Sequence, residues 1–272
     1  MTKAQQLRDL VGSETSRRAF ARSVMVGGIG AGVAAAFGGA TTAQAQSLTD
    51  VDILNFALNL EYLEAEFYTV ATTGQRIADA GVGVSGMGRA GETVGGSRVA
   101  MNDRVMTVAM QIALDERNHV DFLRQALGSA AVAKPAINLA ALNVGFNNVN
   151  EFLTVARAFE DLGVSAYGGA AAFISNRSIL TNAAQIALTE AQHAGVLRLL
   201  VSDAAIAVPP VDALDVLPLM SPNGRLFQVD GAGRSTIRTP GQVLAVAYGS
   251  AQGGTRAGGF FPNGVNGTIV SV

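Results

Sequence analysis

The 272-residue chain has no cysteine and no tryptophan, only two histidines, and a single lysine, Lys134, beyond Lys3. Without cysteine a disulfide framework is excluded, so stability has to come from packing or from a bound ion. Aromatic residues make up 6% of the chain, while the hydrophobic fraction is 49% and is dominated by alanine, leucine and valine. That balance suits closely packed helices better than an aromatic-rich sandwich or barrel, and it is ample for a buried core. No strongly apolar run reaches the roughly 20 residues of a membrane span. The scarcity of histidine and the lack of a nucleophile-elbow pattern leave no Ser/His/Asp triad.

Residues 1–45 read as an export segment rather than as part of the fold. "SRRAFAR" carries paired arginines, "SVMVGGIGAGVAAAFGGA" is a mild apolar run diluted by glycine, and "AQAQ" holds an A-x-A cleavage pattern ending at Ala45. The segment resembles a bacterial twin-arginine signal, which implies a periplasmic or extracellular protein exported already folded. Its removal leaves 14 Lys+Arg against 19 Asp+Glu, a net charge of about −5. A chain with no basic face cannot neutralise phosphates, which excludes nucleic acid as a partner.

Helical periodicity marks residues 49–73, 97–127, 148–174 and 176–202, each about 25 to 30 residues or roughly 40 Å long. A glycine-rich loop joins the first two, "GSAAVAKPAINLAALNVGFNN" joins the second to the third, and the last two meet near Ser175. Two helical hairpins joined by one long crossover form an all-α four-helix bundle, placed at residues 46–208. "GVGVSG" at residues 81–86 formally fits G-x-G-x-x-G, but it follows a helix and lacks a βαβ unit, so it reads as a flexible loop. Residues 209–272 are rich in Pro, Gly and Asn. They are expected to form a C-terminal extension packed on the bundle, with one short helix capped by Thr239 and started by Pro240.

An internal repeat exposes the chemistry. "ALDERNHVDFLR" at residues 113–124 aligns with "ALTEAQHAGVLR" at 187–198, matching Glu116 with Glu190 and His119 with His193. The preceding helices align as "FALNLEYLEAEFY" and "VARAFEDLGVSAY", matching Glu61 with Glu160 and Tyr68 with Tyr167. Residues three apart project from one helix face, so each Glu-x-x-His pair offers an oxygen and a nitrogen to a common point. Four glutamates and two histidines near the midpoints of four helices form the ligand set of a dimetal carboxylate site. Four ionised glutamates in a bundle core would repel one another, and two divalent cations cancel their charge. Only Glu61 aligns with Glu160, so Glu64 and Glu66 are assigned to the surface or to positions behind the ligands.

On these residues the chain resembles the ferritin-like superfamily, in particular exported bacterial ferritin-like and desiccation-associated proteins; the tail "GGFFPNGVNG" shares the likeness. The resemblance implies Glu61, Glu116, His119, Glu160, Glu190 and His193 as ligands of two Fe or Mn ions. It places Tyr68 and Tyr167 where they would hydrogen-bond a ligating carboxylate or supply an electron. It also implies redox chemistry with dioxygen or peroxide under oxidative or desiccation stress. Self-association into a homo-oligomer is left open. The contrasting expectation is a non-catalytic protective protein of the cell envelope with a vestigial or structural metal site.

Overall fold

The computed structural model describes residues 48–272. The expected export segment, residues 1–45, lies outside the described residues. Four long helices follow one another: α1 (Asp50–Thr73), α2 (Asp103–Leu127), α3 (Val149–Ala170) and α4 (Arg177–Asp203). Each begins at a side chain able to satisfy the free N–H groups of a first turn. The Thr49 hydroxyl accepts from Asp52 N–H at 3.2 Å while the Asp52 carboxylate accepts from Thr49 N–H at 2.8 Å. Asn102, Asn148 and Asn176 cap the other three.

Two helix boundaries differ from the expected ones. The second helix starts at Asp103 rather than at 97, because Gly95 and Gly96 adopt positive φ and the Asn102 side chain accepts from Val105 N–H. The third ends at Ala170, short of 174, and passes through one 3₁₀ turn. The Asp50 carboxylate, in the first turn of α1, then accepts from the backbone N–H groups of Ser175 and Asn176 and holds the corner.

α1 packs against α2, α3 against α4, and the pairs meet through α1 with α3 and α2 with α4. Eighteen of the 24 residues of α1 are buried, so it has no solvent face. Phe67 lies at its inner end among Phe146, Phe152 and Phe159, with ring centroids 5.0–5.4 Å apart. No helix among the described residues is long and apolar enough to cross a membrane.

The outer side of α1 is closed by non-helical chain. The glycine-rich segment, expected to be a flexible loop, is a hydrogen-bonded ribbon. β1 (Thr93–Val94) pairs in parallel with β2 (Ile137–Asn138), and Met87 bridges to Val132 ahead of them. Glycine makes this approach possible: a Cβ on Gly86 would lie 2.3 Å from Ala131 O, and one on Gly91 would lie 2.3 Å from Ala136 N. Lys134 is drawn inward by the ribbon, donating to Gly91 O at 2.9 Å and Thr93 Oγ1 at 2.7 Å, with Glu66 Oε1 3.5 Å away. Glu66 and Glu64 are therefore not surface residues. Both are buried, and Glu66 anchors the ribbon by accepting from Thr93 Oγ1 at 2.8 Å.

Residues 209–272 lie against α3, α4 and α1. Three arginines, each no more than 1% exposed, hold their first half. Arg157 on α3 reaches Asp215 at 2.8 Å and Pro209 O; Arg198 on α4 reaches Asp161 at 2.6 Å and the carbonyls of Leu217, Arg225 and Leu226. Arg238 in the extension pairs with both oxygens of Asp212 and donates to Ser165 Oγ at 3.0 Å. α5 (Pro240–Tyr248) starts at Thr239 and Pro240, and Gly249 ends it at φ +65°. The tail then buries Phe260 and Phe261 and meets α1, where Asn266 N–H donates to Asn59 Oδ1 at 3.0 Å.

Gly91→Ala is expected to destabilise the protein by about 1–3 kcal/mol, because the ribbon has no room for a methyl group. Gly253→Ala, at a site with nothing within 4 Å, should be neutral. Paired thermal melts check this; equal melting temperatures would show that the ribbon does not constrain the fold.

Candidate metal centre

The repeat places one glutamate on α1 and one on α3, with a Glu-x-x-His pair on each of α2 and α4. The structure brings all six side chains together halfway along the helices. Glu61, Glu116, Glu160 and Glu190 are each at most 1% exposed, and the two histidines are buried. Two tetrads emerge, Glu61, Glu116, His119, Glu190 and Glu116, Glu160, Glu190, His193, each with potential ligand atoms within 4.8 Å of one another. Glu116 and Glu190 belong to both. Glu116 presents Oε2 to His119 Nδ1 at 3.3 Å and Oε1 to His193 Nδ1 at 3.1 Å. Glu61 lies 3.2 Å from His119 Nδ1, and Glu160 lies 3.2 Å from His193 Nδ1.

The arrangement leaves acceptors facing acceptors. Both oxygens of Glu160 and of Glu190, Oε1 of Glu116 and Nδ1 of His193 are buried without a hydrogen-bond partner. His193 Nε2 lies 3.2 Å from the Asp115 carboxylate. With a proton on Nε2 shared with Asp115, Nδ1 points at two carboxylates, an orientation favourable only with a proton or a metal cation between them. Carboxylate oxygens and imidazole nitrogens gathered at this spacing are donors that a metal ion can take.

Without cations, protons have to take their place. Burial and the neighbouring carboxylates push Glu116 up to about 7 and hold Glu64 and Glu190 well above the ordinary carboxylate range. Burial alone would lower the imidazoles, but the carboxylates around them override it, lifting His193 to about 11 and raising His119 as well. Glu61 is the exception: burial would raise it, yet His119 and a hydrogen bond from Tyr167 hold it low.

The two tyrosines cross between the halves. Tyr167, on α3, donates to Glu61 on α1. Tyr68, on α1, makes a long bond to Ala156 O at 3.4 Å beside Glu160 on α3. Burial first, and the carboxylates second, hold both phenols well above their usual range, so they stay protonated.

Sequence reasoning missed Asp115, whose only signal was its place immediately before Glu116, where the repeat has Thr189 on the other side. It also missed the burial of Glu64. An open groove of about 930 Å³ between α2 and α4, lined by Thr107, Gln111, Asp115, Thr189, Gln192 and His193, brings solvent to the His193 side. A second groove of about 660 Å³, between α3, α5 and residues 209–214, is lined by none of the six ligand residues.

The pKa shifts give the metal-free protein a definite pH dependence. Carboxyls raised by folding contribute stability that is complete below their ordinary pKa of 4.5 and is lost as pH climbs through the folded value, about 7 for Glu116. The raised His193 acts in the same direction, from 6.5 upward. Glu61, held low, has its contribution complete above 4.5. Chelator-treated protein should therefore melt lower at about pH 8.5 than at about pH 5.5, and Mn(II) should shrink the difference. A melting temperature that rises over that interval in the metal-free protein would contradict the charge balance described.

A search of curated proteins finds no match to the chain. A sequence model of the ferritin-like domain matches residues 49–203, more than half of the chain and all four long helices. Buried Glu/His tetrads on that helical scaffold are compatible with a metal site, and by this match the chain belongs to the ferritin-like domain family.

Proposed function

We propose that the protein is a dimetal carboxylate protein that carries out redox chemistry with dioxygen or peroxide. The observation that supports this most directly is the set of buried, unpartnered carboxylate oxygens and the imidazole nitrogen turned toward one another between the helices. Glu61 and His119 would hold one ion, Glu160 and His193 the other, with Glu116 and Glu190 shared by both. Two bound iron or manganese ions would supply the electrons exchanged with the oxidant.

The chain's own residues would set the conditions for that exchange. Asp115 orients His193, and Tyr167 holds Glu61 in place. Tyr68 and Tyr167, as buried phenols beside the carboxylates, are placed to donate an electron or a proton. The groove at His193 would admit ions and peroxide, while the packed aromatic residues at the Phe67 end keep bulk water out. Fe(II) oxidation, peroxide reduction and peroxide disproportionation are the reactions this arrangement fits. We further propose export through the segment at residues 1–45, with residues 46–208 as the working four-helix bundle and 209–272 as its buttress. A role in oxidative or desiccation stress outside the cytoplasm is part of the same proposal, and the resemblance to exported ferritin-like and desiccation-associated proteins is what suggests it.

Purified exported protein should carry about two Fe or Mn ions per chain. It should consume Fe(II) with dioxygen, or peroxide, at a rate at least about tenfold above that of a His119→Ala/His193→Ala variant. A wild type that binds neither metal and consumes neither reactant, with a melting temperature indifferent to added ions, would instead indicate the non-catalytic protective protein.

A further inference from the structure

Besides Asp115 and Thr189, the two halves of the repeat differ at a position beside the centre. Glu64 follows Glu61 by three residues on α1; the residue three after Glu160 on α3 is Gly163. We infer that Glu64 is a fifth carboxylate of the metal centre, brought beside Glu190 in the space that Gly163 keeps clear. The inference rests on the dimetal reading above and adds a residue outside the six that the repeat identifies.

Three observations carry it. A Cβ at Gly163 would lie 2.4 Å from Glu190 Oε2 and 3.2 Å from Glu64 Oε1, so both carboxylates border the spot a side chain would fill. Glycine inside a helix is unfavourable relative to alanine, and here it makes room for the two carboxylates. Glu64 is 5% exposed, and the charges acting on it are Glu190, Glu116, Glu160 and Glu61, all of its own sign. Its other surroundings are apolar, including Leu60, Leu63, Phe159, Leu162 and Phe260. Other buried carboxylates meet a cation: Glu66 has Lys134, and Asp161 has Arg198. Among the described residues Glu64 has no such ion pair, and it stands at the edge of the centre, beside the two tetrads rather than in them. A buried carboxylate with no side-chain cation is tolerable where bound ions neutralise it. The pseudo-twofold site is thus made unequal, with an additional carboxyl group on the Glu64 side.

The test is Mn(II) titration of metal-stripped wild type, Glu64→Gln and Gly163→Ala, followed by calorimetry and by the melting temperature with and without Mn(II). Glu64→Gln should bind Mn(II) about tenfold more weakly and gain less melting temperature from it, as expected when a group supporting a metal site is lost. Its metal-free form should melt no lower than wild type, which separates this role from a merely structural one. Gly163→Ala, whose Cβ displaces both carboxylates, should weaken Mn(II) binding similarly, and it serves as the test if Glu64→Gln does not fold. Wild-type affinity in either folded variant overturns the inference and leaves the dimetal reading standing. Failure of the wild type to take up Mn(II) or Fe(II) overturns both.

Discussion

Burying like charges is the constraint on which the rest of this structure depends. Four glutamates at 1% exposure or less converge halfway along the helices, and Glu64 stands beside them. Their ion-pair partners among the described residues are the two histidines; no lysine or arginine pairs with them. An arginine would neutralise a carboxylate permanently, since it cannot lose its proton, whereas an imidazole can give up its proton when a metal ion arrives. The absence of permanent cations at the centre keeps it open to exchangeable ones.

The strong cations are used elsewhere. Lys134 is spent on Glu66 under the ribbon, and Arg157, Arg198 and Arg238 bind the C-terminal extension to α3 and α4. Arg124 and Arg198 occupy the same place in the repeat, yet Arg124 donates to the Tyr62 hydroxyl while Arg198 gathers three backbone carbonyls of the extension. One repeat position has two roles because the two halves face different chain. The ribbon, the tail and α2 together enclose α1, the helix that carries Glu61 and Glu64. In a cysteine-free chain that enclosure does what a disulfide would otherwise do: it limits how far the helix bearing Glu61 and Glu64 can move.

The helices and their order were legible because each is a proline-free run of more than 20 residues rich in helix formers, with the one-sided apolar stripe clearest in α2 and α3. Their ends were less so. The starts expected at 148 and 176 fall on the capping asparagines, but Asn102 looks like any other polar residue until the first free N–H groups of α2 are seen to need it. The glycine-rich segment after α1 resembled a flexible loop because its glycines mark close backbone approach to a partner about 45 residues away in sequence, and such pairing leaves no local period. Glu64 was set aside because only Glu61 has a glutamate counterpart. The mismatch with Gly163 was itself the signal, since a glycine opposite a carboxylate leaves room for it.

The sequence by itself determined which residues could share a helix face, because three-residue spacing is a property of the helix alone; it paired Glu116 with His119, Glu190 with His193 and Glu61 with Glu160. Only the tertiary structure decided what those faces meet. It set which imidazole has Asp115 behind it, which tyrosine crosses to which glutamate, and which carboxylates share the space at Gly163. Those contacts join different helices, and their distances depend on how the helices pack rather than on the repeat within any one of them.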